Sequence, residues 1–166
     1  MNQPTKLHTI SLHVRNRPGV LVRIAQVFAR RGYNIESLVV SPGRTDDFSR
    51  MTITCSGDPQ ILEQIIKQQA KLVDVVHATD HTGQDIIDTE IALVKVAVAL
   101  DERTALLQIA EHYNAKVVDY GEESLILRAS GATGKLDAMI GLLQRWPILE
   151  VMRSGKIVMM RGPEET

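Results

Sequence analysis

The chain has 166 residues, 44% of them hydrophobic but only 4% aromatic, with a formal net charge of −1. That composition allows an aliphatic core in one domain or in two of about 75–80 residues, and argues against a nucleic-acid platform, which shows a basic face and stacking aromatics. The single cysteine, Cys55, excludes an intrachain disulfide framework; no apolar run approaches the roughly 18–20 residues of a membrane span, and the polar Met1 to Lys6 lacks a signal peptide's apolar stretch, so the expected location is the cytoplasm.

Leu7 to Val14 alternates, with Ile10, Leu12 and Val14 on one face and Thr9, Ser11 and His13 on the other, the pattern of a half-buried strand. Pro18 suits the first turn of a helix, where its missing N–H costs nothing. Val20, Leu21, Ile24, Val27 and Phe28 follow at helical spacing, and Gly32 stands where a helix C-cap glycine is expected. Tyr33 to Ser41 and Phe48 to Cys55 read as strands around a turn opened by Pro42-Gly43. Asp58-Pro59 is an N-cap followed by a proline at the first helical position, and Ile61, Leu62, Ile65 and Ile66 line the helix it starts. Leu72 to Ala78 is a fourth strand.

Residues 80–90 change character. Asp80, Gly83, Gln84, Asp85 and Asp88 stand among few apolar residues, as in a linker. The earlier order then returns. Ile91 to Leu100 is a strand. Asp101 or its neighbour caps a helix through Leu106, Leu107, Ala110 and Tyr113. Lys116 to Tyr120 and Ser124 to Ala129 form two strands. Thr133 is the expected N-cap of a helix carrying Leu136, Met139, Ile140 and Leu143, and Ile148 to Met160 is a last strand broken near Ser154-Gly155. Residues 162–166 read as a polar, disordered tail.

The predicted class is therefore α+β: two ferredoxin-like βαββαβ units, residues 5–79 and 91–161, each an antiparallel sheet with helices on one face. The other sheet face needs a cover, and domains this small gain burial by pairing protomers.

Chemistry is expected at Asn16–Leu21, between the first strand and the first helix. Amides at a helix start have no internal partner, and the helix dipole favours negative charge there. Gly19 allows close approach to the backbone. Asn16 offers both a donor and an acceptor, which suits a free amino acid. The same residues also make an ordinary strand-to-helix turn without a ligand. Other candidates are weaker. Gly131 and Gly134 lack the spacing of a phosphate loop. The five histidines form no pair at metal-ligand spacing on one helix face, and with one cysteine a structural zinc site is not expected. Cys55 falls on the apolar alternation, as a core thiol does. Arg15, Arg17, Arg23 and Arg30 fit an anion or acidic partner as readily as a solvated face.

The first half resembles an ACT domain, the small-molecule-sensing module of amino-acid metabolism. A series of segments sharpens the likeness: Arg31–Leu38 (RGYNIESL), Ser49–Ile53 (SRMTI), Lys71–Val75 (KLVDV), Glu90–Val96 (EIALVKV), Gly134–Ala138 (GKLDA) and Arg153–Gly155 (RSG). In this order, over about Leu7 to Arg161, they resemble the small regulatory subunits of acetolactate synthase (acetohydroxyacid synthase). The resemblance implies a chain that is no enzyme by itself. It would bind and activate a catalytic large subunit and confer feedback inhibition by a branched-chain amino acid, usually valine. Thiamine diphosphate, FAD and magnesium would sit on the large subunit, with no cofactor and no metal on this chain.

The resemblance also places the effector between the ACT domains of a homodimer. One copy would supply Asn16, Arg17, Pro18, Gly19, Val20 and Leu21, and its neighbour Asn34 and Ile35. Arg17-Pro18 departs from what the family's loop often carries. Two rivals stand beside this reading. One is a free-standing ACT-type sensor acting on transcription or another enzyme, for which the sequence offers no DNA-binding helix pair. The other is an enzyme in its own right, for which it offers no paired acid and base.

Overall fold

The computed structural model describes residues 7–163 and 165–166; Met1 to Lys6, read above as a polar lead, lie outside the described residues. Among these, one compact unit holds everything up to Ile87 together with Lys156–Thr166, and the other holds Asp88–Gly155.

The first unit runs β1 (Leu7–Arg15), α1 (Val20–Arg30), β2 (Asn34–Pro42), β3 (Phe48–Ser56), α2 (Pro59–Gln69) and β4 (Val75–Asp80), with sheet order β2-β3-β1-β4. All its pairings are antiparallel. The alternation in β1 sends Ile10, Leu12 and Val14 to one face. There they meet Met51, Ile53 and Cys55 of β3 under Ile24, Val27 and Phe28 of α1 and Leu62 and Ile65 of α2. Each fully buried aliphatic side chain contributes about 1.5–3 kcal/mol. Asp58 caps α2 as expected, its Oδ1 accepting from the Gln60 amide at 2.8 Å.

The second unit holds most of β5 (Ile86–Ala97), then α3 (Arg103–His112), β6 (Lys116–Tyr120), β7 (Ser124–Gly131), α4 (Thr133–Leu143) and β8 (Ile148–Arg153). Its sheet order, β6-β7-β5-β8, repeats that of the first unit. Its core sets Ala92, Val94, Val96, Leu125 and Leu127 against Leu106, Ala110, Leu136, Met139 and Leu143. The ferredoxin-like α+β arrangement, helices on one sheet face, is present in both units.

Several local expectations differ from the structure. β4 begins at Val75, because Leu72 and Val73 sit in a turn closed by the Val75 amide on the Leu72 carbonyl, 3.0 Å; Val73 is 90% exposed. Within the expected linker 80–90, β4 extends to Asp80 and β5 starts at Ile86. Asp80 and Asp88 belong to the strands, Asp85 stays in the connection between them, and Glu90 is buried against Arg153. Helix α4 is capped by Ala132, in extended backbone, and Thr133 is its first residue with Oγ1 buried and unpaired.

The last strand is broken as expected, into β8 and β9 (Ile157–Met160). The expected second domain to 161 and disordered tail at 162–166 differ from the observed division, in which β9 and the tail group with the first unit. β9 pairs with β5, whose first residues also fall in the first unit, and polar contacts tie the tail to the first sheet. Arg50 donates to the Thr166 carbonyl and pairs with Glu165 at 3.2 Å, and the Met160 amide donates to Thr166 Oγ1 at 2.8 Å. Ile157 to Met159 thereby lie over the helix-free face of the first sheet, enclosing about 190 Å³ above Ser11, Ser41, Arg50 and Thr52.

Arg153 closes the second unit. Its Nε donates to Glu90 Oε2 at 3.1 Å and its Nη1 to Asp137 Oδ1 at 2.5 Å; the Glu90 hydrogen bond holds the guanidinium charged, against the cost of burial. Arg153→Met leaves a buried carboxylate uncompensated. A loss of about 3 kcal/mol is expected in urea unfolding, and Glu90→Leu in the same chain should recover most of it.

Candidate functional site

The β1–α1 connection is a type II turn followed by a helix. Gly19 has φ 84° and ψ −10°, the left-handed conformation that the third residue of such a turn requires, and the Val20 amide reaches back to the Arg17 carbonyl at 3.4 Å. Pro18 therefore sits in the turn at the position proline favours, and not in the first turn of the helix as expected; α1 begins at Val20. This gives Pro18-Gly19 a physical role that needs no ligand.

The loop is clasped on both sides. The Asn16 amide donates to the Asp47 carbonyl at 2.8 Å, and the Asn16 Nδ2 to the Asp46 carbonyl at 2.9 Å. On the other side the Arg15 amide donates to the Asp74 carbonyl at 2.8 Å, and Asp74 pairs with Arg23 of α1 at 2.5 Å. Asp46 and Asp47 lie in the turn before β3. Their side chains are exposed, but their carbonyls hold the loop. An asparagine thirty residues upstream gives no signal of that contact.

What the clasp leaves open is the chemistry. Among the described residues, the amides of Gly19, Leu21 and Val22 take part in none of the hydrogen bonds of the turn or of the helix start. No acidic side chain occupies the first turn of α1. These donors, at the positive end of the helix dipole, can take a carboxylate. Asn16 keeps its Oδ1 as an acceptor for an ammonium, while its Nδ2 is committed to Asp46. Arg17, Pro18, Gly19 and Leu21 are exposed, whereas Val20 is buried and its side chain serves the core.

Asn34 and Ile35 begin β2, at the far end of the sheet. Asn34 pairs with Ser56 and Arg15 with Phe48, so the two places lie eight residues apart along β3, roughly 26 Å at 3.3 Å per residue. One chain does not bring its expected site residues together. Asn34 Nδ2 donates to Glu36 Oε1 at 3.1 Å, and Ile35 is half-buried against the core. Yet β2 is an edge strand. Antiparallel pairing of its nine residues with the same strand of a second copy, about a two-fold axis near Leu38, sets Asn34 opposite Pro42. Pro42 lies at the end where Asn16 and Asp47 meet.

The second unit repeats the clasp with other residues. The Val98 amide meets the Glu123 carbonyl at 3.1 Å, and Arg103, buried under the Tyr120 ring at 4.5 Å, donates to the Gly121 carbonyl at 2.6 Å. Asp101 and Glu102 stand before α3, where their charge repels a carboxylate. Of the two helices that follow a first strand, α1 is the one without an acid directly before it.

Two family models divide the chain. The ACT domain of acetohydroxyacid synthase small subunits matches residues 10–77, and the small subunit of acetolactate synthase matches 89–162. The chain belongs to the acetolactate synthase small-subunit family. It is 40% identical to the small subunit of Mycobacterium bovis over 158 residues, covering 95% of this chain and 94% of that one. It is 39% identical to that of Mycolicibacterium smegmatis over 163 residues, covering 98% and 96%. The crystal structure of the Thermotoga maritima small subunit superposes with a TM-score of 0.83 at 36% identity, covering 96% of this chain and 99% of that one. Among the described residues no helix is long and apolar enough to cross a membrane.

Cys55 lies fully buried in the first core, and burial, then the charges of Asp80 and Glu36, push its thiol up to about 11. At pH 8 the group is protonated and shielded. Thiol reagent should label the native chain at a small fraction of its rate in urea; rapid native labelling would contradict this placement.

Proposed function

We propose that this chain is the regulatory subunit of an acetolactate synthase. It binds the catalytic large subunit, raises its activity, and makes it sensitive to feedback by a branched-chain amino acid, with valine the first candidate. The reading rests on family membership and on one observation: the free amides of Gly19, Leu21 and Val22 beside the clasped Asn16.

In this reading the effector carboxylate binds those amides and its ammonium faces Asn16 Oδ1. Ile35 of a second copy, with Leu21, surrounds the branched side chain, an aliphatic pocket with two polar anchors. The homodimer forms by pairing β2 edges. The ligand bridges two copies and so favours the arrangement it completes; inhibition is that preference transmitted to the large subunit. Thiamine diphosphate, FAD and magnesium belong to the large subunit, and the assembly works in the cytoplasm.

The test is reconstitution with the large subunit. Adding this chain should raise acetolactate formation, and valine should then lower it. Asn16→Ala should leave activation intact and raise the valine needed for half inhibition roughly ten- to a hundredfold, the weight of one hydrogen bond to a charged group. Absence of a complex with the large subunit would overturn the regulatory reading. Unchanged valine sensitivity in a folded Asn16→Ala chain would overturn only the site.

A further inference from the structure

The helix-free face of the first sheet carries a block of polar side chains. Ser11 of β1 is the register partner of Thr52 of β3, and Arg50 of β3 that of Ser41 of β2. Direct partners stand about 5 Å apart, and Arg50 and Thr52, alternate residues of one strand, about 7 Å. The returning strand β9 covers the block with the buried Val158, flanked by Ile157 and Met159, and encloses about 190 Å³. The cavity so formed has a polar floor and an apolar roof. Its volume is that of roughly six waters at ~30 Å³ each, which suits an acid of about five carbons.

The hydrogen bonding of the floor selects the ligand. Ser11 is 7% exposed, and its Oγ lies 2.7 Å from His81 Nε2. His81 Nδ1 faces Gln84 Oε1 at 3.2 Å; that oxygen only accepts, so Nδ1 carries the ring proton and Nε2 takes the proton of Ser11. Ser11 has then spent its one donor and lines the cavity as an acceptor. Among the described residues the Ser41 and Thr52 hydroxyls bond to no protein group. Arg50 takes oxygens, donating from Nη1 to the Thr166 carbonyl and from Nη2 to Glu165 Oε2 at 3.2 Å. Among the described residues no acidic side chain lines the cavity. We propose that this cavity binds a small aliphatic 2-hydroxy carboxylate. The carboxylate replaces the Thr166 carbonyl on Arg50 and accepts from Thr52, the 2-hydroxyl donates to Ser11 Oγ, and the alkyl group meets Val158. A 2-oxo acid sets an acceptor against the Ser11 acceptor, and a 2-amino acid sets an ammonium near Arg50 with no carboxylate to meet it. Acetolactate is a branched 2-hydroxy acid, so the site would report the product of the assembly; that extension rests on the regulatory reading above, whereas the binding does not.

Calorimetry on the purified full-length chain, without the large subunit, tests the binding with three acids of one skeleton: 2-hydroxy-3-methylbutyrate, 3-methyl-2-oxobutyrate and 3-methylbutyrate. The hydroxy acid should bind at least about fivefold tighter than the other two, the weight of one hydrogen bond. Arg50→Gln should weaken it at least about tenfold. Ser11→Ala should bring the hydroxy acid down to the affinity of the oxo acid, a loss of selectivity that a merely structural serine would not cause. Because Ser11→Ala also unpairs His81, urea unfolding accompanies it. If that chain does not fold, Thr52→Val carries the test, with an expected weakening of about fivefold. Absence of saturable binding, equal affinity for the hydroxy and oxo acids, or binding indifferent to Arg50→Gln would overturn the proposal. So would binding abolished by Asn16→Ala, which would put the acid in the β1–α1 loop.

Discussion

Backbone donors at a helix start must find acceptors, and α1 leaves its own unsatisfied by the chain. The left-handed Gly19 turns the chain from β1 into the helix and leaves its amides facing outward. Asp46, Asp47 and Asp74 then hold the approach to that turn through three backbone carbonyls. The acceptor positions that a folding chain would otherwise use are spent on rigidity, and the donors remain for a ligand. A rigid, prepared loop loses little entropy on binding, which suits a metabolite sensed by a few hydrogen bonds.

The internal repeat clarifies what makes the loop special. Both units clasp the connection after their first strand, with Asn16 in one and Arg103 in the other. The entries differ in backbone, left-handed at Gly19 and right-handed at Glu102, and in charge: no acid directly before α1, but Asp101 and Glu102 before α3. Fold alone therefore does not make a carboxylate site. The two units also differ on their helix-free faces: Ser11, Arg50 and Thr52 lie under the returning chain in one, and Leu93 and Met152 are exposed beside Arg128 and Lys95 in the other. Specialisation of a duplicated fold lies in its loops and outer faces, while the two cores follow one pattern.

Much of this was legible in the sequence because period-2 and helical spacing survive in an aliphatic chain: Ile10, Leu12 and Val14, or Val94 and Val96, leave little ambiguity. Places where polar residues are satisfied at long range were not legible. Glu90 looked like linker and is held by Arg153, sixty-three residues on. Thr166 looked like a free tail and accepts from Arg50. At the candidate site, Asn16, Gly19 and Leu21 were readable from helix-start chemistry alone. The commitment of Asn16 Nδ2 to Asp46 and the burial of Val20 were not, since both depend on what the rest of the fold brings alongside.

The central claim is that one effector site is shared by two copies, loop from one and β2 from the other. It is tested most directly by valine calorimetry on a purified, differentially tagged dimer of one Asn16→Ala chain and one Ile35→Ala chain. Each variant alone should bind valine weakly at both sites. The mixed dimer holds one site carrying both changes and one carrying neither, so it should bind at parental affinity with half the parental stoichiometry. A mixed dimer that binds no better than either variant alone would contradict a site built across two copies.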